Sequence, residues 1–180
     1  GAAALVVAPG VELRRILHGG DQELGLWPGT HNVPAIVGFG AACRVASASM
    51  EEDAERVAGL RNLFAERLHL SVDDFRVVGP FSPDAPPERR WPNRLPGNLS
   101  VLLPGVVGRD LVERLADRVC FSTGSACNCP KVTSEVLRRG GVPPAEAPSV
   151  VRFGFGRLTS REEVIEAADG VQAFELAKDK

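Results

Sequence analysis

The stretch Cys120-Phe-Ser-Thr-Gly-Ser-Ala-Cys-Asn-Cys-Pro-Lys131 holds three of the four cysteines in this chain. Thiols so close together can pair, ligate a metal, fill a core or react. A disulfide between Cys127 and Cys129 would close a very small, strained ring. A metal needs more ligands than these two supply. No histidine lies near in sequence, and the gap is not the two-residue spacing of a zinc knuckle. Cys120, between Val119 and Phe121, reads as small apolar filler, as does Cys43 on the apolar face of a helix. Cys127 differs. It follows Gly124, Ser125 and Ala126, small residues that give the backbone freedom and leave a sulfur accessible. Lys131 and the start of a following helix would lower its pKa and favour the thiolate. From these residues alone two readings stay open, a nucleophile and a passive loop thiol.

The rest of the chain must position that loop. Its 180 residues are 44% hydrophobic and 24% charged, with a net charge of -2. That profile fits a soluble globular protein. It makes no electrostatic case for nucleic acid or a membrane surface. No apolar run reaches the ~18 residues of a membrane helix. The N-terminus, GAAALVVAPG, lacks the basic region of a signal peptide and begins with Gly, as a processed product or fragment would. Free thiols in a reducing compartment, the cytoplasm, are therefore expected.

Ala3–Ala8, an apolar run bounded by Pro9 and Gly10, reads as a fully buried strand. Residues 18–32 are rich in Gly and polar groups and read as a loop. Pro34 suits a helix first turn, with Ile36, Phe39, Cys43 and Ala46 at helical spacing. Ser49 and Glu52 form a capping-box pattern, which predicts a second helix to about Leu68. Strands are predicted at Phe75–Gly79, Asn98–Pro104, Val119–Phe121 and Ser149–Gly156. Residues 80–97, with six prolines and three arginines, form an irregular loop. Short helices are predicted over Asp110–Asp117 and Val132–Arg139. A last helix carries Val164, Ile165, Ala168 and Val171 behind a Ser160/Glu163 cap. Strands and helices mix without strict alternation, so the class is α/β or α+β with a small sheet covered by helices.

Four segments, in order, resemble one family. GSAC resembles the active-cysteine loop of cysteine desulfurases, pyridoxal-phosphate enzymes of the class V aminotransferase superfamily. HGGDQELGLWPGTHNVPAIVGFGAA resembles their glycine-rich loop and following helix, RLPGNLSVLLPGV the strand entering the small domain, and VVRFGFGRLTSREEV the late arginine-bearing strand and final helix. The resemblance implies the small C-terminal domain of a fold-type I enzyme plus the last strand and connecting helix of the large domain. Residues 1–33 would end the large domain, 34–70 form connecting helices, and 71–180 the small domain.

It also implies roles. Cys127 matches the cysteine that takes sulfur from L-cysteine as a persulfide, releasing L-alanine. Arg152 matches the arginine that grips the substrate carboxylate; by residue type alone it reads first as an ion-pairing surface arginine. Its neighbours Val150, Val151 and Phe153 suggest burial. Thr30 matches a threonine that reaches the phosphate of a dimer partner's cofactor; by residue type alone it is a turn hydroxyl. Three positions depart from the pattern: Trp27 where arginine is common, Asp21 for glycine, and Cys129 as an added thiol. The Schiff-base lysine has no counterpart, since the only lysines are Lys131, Lys178 and Lys180. The implied partners are L-cysteine, a missing N-terminal part, a second copy in a homodimer and a sulfur-acceptor protein, with no direct contact to nucleic acid or membrane. Iron-sulfur clusters, thiolated tRNA and phosphorothioated DNA are the implied sulfur destinations, with the desulfurase of DNA phosphorothioation a plausible match. The competing readings are a non-enzymatic sulfur carrier and a selenocysteine lyase.

Overall fold

A computed structural model describes residues 1–86, 89–124 and 134–178. The chain divides into two units, Gly1–Met50 and Glu51–Lys180. The division falls inside α1, Val33–Ser71, a 39-residue helix. Asn32 caps its start, with the Ala35 N–H donating to Asn32 Oδ1 at 3.2 Å. The predicted break at Ser49 does not occur. The Ser49 hydroxyl instead donates to the Val45 carbonyl at 3.3 Å, one turn back in an unbroken helix. A hydroxyl that can cap a helix can equally bond within one, so the pattern does not decide the boundary.

The first unit contains no strand. Residues 3–8 are exposed, Val6 at 93%, against the expected buried strand. A strand buried on both faces needs neighbours for its backbone groups, and residues 1–50 supply none. The α1 portion in this unit is apolar and uncovered: Ile36, Val37, Phe39, Val45 and Met50 are all exposed. Cys43 is exposed there too, not core filler. Periodicity marks an apolar face correctly but does not say what covers it. An 18-residue window of α1 has a mean hydropathy of 1.4, long and apolar enough to cross a membrane by length and composition. Gly, Ser and one Arg interrupt that stretch, so a search for continuous apolar runs passes over it.

The second unit is built on an antiparallel sheet in the order β1 (Arg76–Val78), β2 (Asn98–Leu102), β3 (Val150–Gly154). One face buries Leu99, Val101, Val151 and Phe153 against Leu60, Phe64 and Leu68 of α1 and Val164, Ala168 and Val171 of α4, Arg161–Lys178. The Phe64 ring lies 4.5 Å from Phe153 and 5.5 Å from Phe155, centroid to centroid. Leu111 of α2 (Gly108–Arg114) joins this core. The predicted cap of α4 is formed: Ser160 N–H donates to Glu163 Oε2 at 2.8 Å, and Glu163 N–H to Ser160 Oγ at 3.1 Å. On the opposite face, among the described residues, Leu102 and Val150 pack with Val142 and with Leu137 of α3, Glu135–Arg139.

Gly97 joins β2 to the end of β3. Its carbonyl accepts the Phe155 N–H at 2.9 Å. A Cβ there would run into the Phe155 carbonyl oxygen and come within 3.0 Å of Val57. Backbone cannot give way as a side chain can, so Gly97→Ala is expected to destabilise by roughly 1–3 kcal/mol. The check is a thermal melt of the complete protein, with the midpoint lower by about 2–10 °C.

Candidate functional site

Arg152 sits at the middle of β3. It is exposed, against the expected burial. The reason is the period of two: Val151 and Phe153 point into the core, so the residue between them points out. Ser100 of β2 lies directly across from it. On the other side a single bridge pairs it with Ser122: Ser122 N–H donates to the Arg152 carbonyl at 3.0 Å, and Arg152 N–H to the Ser122 carbonyl at 2.7 Å. The Val119–Phe121 strand is replaced by this one bridge, and Cys120 is exposed, not buried as filler. A two-hydrogen-bond bridge to β3 satisfies Ser122 without extending the sheet upstream.

After the bridge the Ser122 hydroxyl donates to the Gly124 carbonyl at 2.6 Å and accepts the Gly124 N–H at 3.2 Å. Cys127, Cys129 and Lys131 follow, and they lie outside the described residues. Described chain thus leads toward the cysteine loop from beside Arg152. The arginine's guanidinium has no hydrogen-bond or ion-pair partner among the described residues. Arg56 anchors the other end of β3, donating to the carbonyls of Gly156, Arg157 and Thr159 at 3.3, 2.5 and 2.9 Å.

The buried arginine of this chain is Arg61, at 3% exposure. Sequence reasoning missed it, although its place on the apolar stripe of α1 between Leu60 and Phe64 was the available signal. Arg61 donates to Asn62 Oδ1 at 2.9 and 3.1 Å and to the Leu95 carbonyl at 3.3 Å, and lies 4.4 Å from the Trp91 ring centre. Arg94 sits 5.6 Å from the same ring. Burial, then the charge of Arg94, lowers the Arg61 pKa to about 10. These contacts hold the proline-rich loop to α1. A cleft of about 600 Å³ opens beside them, lined by Asn62, His69, Phe75, Phe81 and Trp91 among others, and it contains none of the residues chosen from sequence.

Thr30 belongs to the first unit and Arg152 to the second. Thr30 is exposed and has no hydrogen-bond partner among the described residues. Its loop is held by side chains. Gly29 N–H donates to Gln22 Oε1 at 3.1 Å, and His31 Nε2 lies 2.7 Å from Glu23 Oε1. Asp21, one of the departures from the pattern, pairs with Arg15 at 3.1 Å. Trp27, another, is 62% exposed. Glu23 and Leu24 have φ of 50° and 57°, left-handed values that strain residues with a Cβ, and Gly25 follows at 76°, where glycine is at ease. A free hydroxyl next to Gly29 at φ 124° fits the phosphate end of a cofactor. Among the described residues, no three His, Cys, Asp or Glu are placed to hold a metal.

Residues 18–166 match the family of class-V aminotransferases. The chain belongs to the class-V aminotransferase family. Relatives of this class-V chain include a cysteine desulfurase IscS from Anaeromyxobacter sp. (strain Fw109-5), 39% identical over 91% of the chain and 39% of the relative. A mitochondrial cysteine desulfurase from Arabidopsis thaliana is 36% identical over 94% of the chain and 36% of the relative. Among solved structures, a NifS-like protein aligns with a TM-score of 0.73 and 28% identity, over 93% of this chain and 40% of that one. DndA from Streptomyces lividans aligns with a TM-score of 0.52 and 26% identity, over 79% and 37%. The class-V chain therefore spans about two-fifths of the length of the relatives it matches.

Proposed function

We propose that this chain is the C-terminal part of a pyridoxal-phosphate-dependent cysteine desulfurase. The observation that carries the reading is the class-V match over residues 18–166 together with relatives named cysteine desulfurase. Arg152 adds support. It is a charged side chain without a partner among the described residues, bridged through its backbone to Ser122, after which the chain continues toward the cysteine loop. A guanidinium fork so placed can donate two hydrogen bonds to a carboxylate.

In this reading Arg152 holds the substrate by its α-carboxylate and turns its sulfur toward Cys127. The Cys127 thiolate attacks that sulfur. An S–S bond forms, the substrate C–S bond breaks, and the carbon takes a proton to become alanine. Cys127 is left as a persulfide for an acceptor protein serving iron-sulfur clusters or thio-modification. The cofactor, when bound, supplies the electron sink that makes the C–S bond breakable. Thr30 would hold its phosphate in a homodimer. None of Lys131, Lys178 and Lys180 lies in the segments that match the cofactor side, so the carrier lysine belongs to another part of the protein. That absence is also what favours the competing reading, a sulfur carrier without catalysis.

Exposed Val6, Ile16, Ile36, Val37 and Val45 support the reading that a further part of the protein covers them, because uncovered apolar side chains favour association. Residues 1–180 expressed alone are expected to aggregate and to bind no pyridoxal phosphate. Co-expression with the N-terminal part should restore solubility, dimerisation and yellow colour together. Size exclusion with an absorbance scan checks this. A monomeric 180-residue protein that turns yellow with added cofactor overturns the proposal.

A further inference from the structure

The loop that carries Thr30 is held by contacts between its two limbs, residues 19–23 and 28–31. Gly19 lies so close to Pro28 that a Cβ on it would come within 2.8 Å of the proline Cβ. Gln22 Oε1 accepts the Gly29 N–H at 3.1 Å, and Glu23 Oε1 lies 2.7 Å from His31 Nε2. At the base of the loop, the Gly25 N–H donates to the carbonyls of Asp21 and Gln22 at 3.1 and 3.0 Å. A Cβ on Gly25 would run into Arg15, which pairs with Asp21. The turn between the limbs passes through left-handed Glu23 and Leu24, a conformation that costs residues with a Cβ and persists only where contacts around it hold it. Two adjacent side chains, Gln22 and Glu23, thus grip the residues on either side of Thr30. The Thr30 hydroxyl itself has no hydrogen-bond partner among the described residues.

We infer that Gln22, through Gly29, and Glu23, through His31, are positioning residues that aim the Thr30 hydroxyl at a phosphate, a role that rests on the proposed reading of Thr30 as a ligand of the cofactor phosphate. A donor on a free loop loses affinity to every residue that must be ordered when the ligand arrives. Fixing the residues before and after Thr30 removes that loss. Threonine is β-branched and stiff at χ1, so once its backbone is fixed the direction of its hydroxyl follows. The two clamps differ in chemistry. Gln22 is neutral and takes a backbone N–H, so it brings no charge to a phosphate site. Glu23 is acidic, but its carboxylate oxygen is engaged by His31 and not by the Thr30 hydroxyl, which stays open to a ligand.

The test is titration of the complete apoenzyme with pyridoxal phosphate, followed by absorbance, and in parallel with pyridoxal, which lacks the phosphate. Gln22→Ala and Glu23→Ala should each raise the Kd for pyridoxal phosphate about threefold to tenfold, the effect of one lost hydrogen bond. Glu23→Gln, whose amide oxygen can still accept from His31, should stay within about twofold of the parent. Binding of pyridoxal should change by less than about twofold in all three, since a phosphate-directed clamp has nothing to act on there; this also shows that the variants are folded. Thr30→Val removes the hydroxyl at nearly constant shape and should weaken pyridoxal phosphate at least as much as either alanine variant. In the Thr30→Val background the two alanine variants should add less than about twofold, because they act through the same hydroxyl. Unchanged affinity for pyridoxal phosphate in either alanine variant, equal weakening for pyridoxal, or full additivity with Thr30→Val overturns the inference. Unchanged affinity in Thr30→Val overturns the reading of Thr30 itself, and the inference with it.

Discussion

Cys127→Ser in the complete enzyme is expected to abolish release of both alanine and sulfide from L-cysteine. A serine hydroxyl is neither a thiolate at neutral pH nor able to carry a sulfane sulfur, so no residual pathway through that position remains. Cys43→Ser and Cys120→Ser are expected to keep turnover near the parent level. Both thiols are exposed, free and outside the GSAC segment, on α1 and on the stretch before Ser122 respectively. Alanine formation measured by chromatography and sulfide by methylene blue give two independent readings. Full turnover by the Cys127→Ser enzyme would sink the assignment. Cys129→Ser separates the two loop thiols: intact alanine release confines the first sulfur transfer to Cys127.

The second large effect belongs to Arg152. In the proposed reading Arg152→Ala removes a bidentate, charge-assisted contact, roughly 2–4 kcal/mol. The KM for L-cysteine should rise by a factor of about 30 to 900 at that cost. Cofactor content, read from its absorbance, should hold, because the proposed reading puts Arg152 on the substrate and Thr30 on the phosphate. Folding should hold as well. The side chain is exposed and unpaired among the described residues, and the hydrogen bonds that tie β3 to Ser122 come from its backbone. Arg152→Lys is expected to recover little, since a point charge cannot match the fork. An unchanged KM in Arg152→Ala would return the residue to a surface role.

The sequence by itself determined the features that local chemistry decides. Ser160 and Glu163 are close enough to cap α4 whatever surrounds them, and they do. The β-favouring Leu, Val and Phe content of NLSVL and VVRFG marks strands, and both are strands. Matching of ordered segments located Cys127, Arg152 and Thr30 as the residues to ask about. Only the tertiary structure decided what depends on distant partners. Ser49 looked like a helix start, yet α1 runs through it, because its hydroxyl has an acceptor within the helix. AALVVA has strand composition and no strand to pair with. Arg152 lies on the opposite face from its adjacent residues Val151 and Phe153, while Arg61, one turn from Phe64, is the arginine that is buried. Ser100 lies 52 positions from Arg152 in sequence and directly across from it in the sheet. Capping and residue propensity act over a few residues and can be read along the chain. Burial and register are set by contacts between segments far apart in it, and no short window of sequence contains both halves of such a contact.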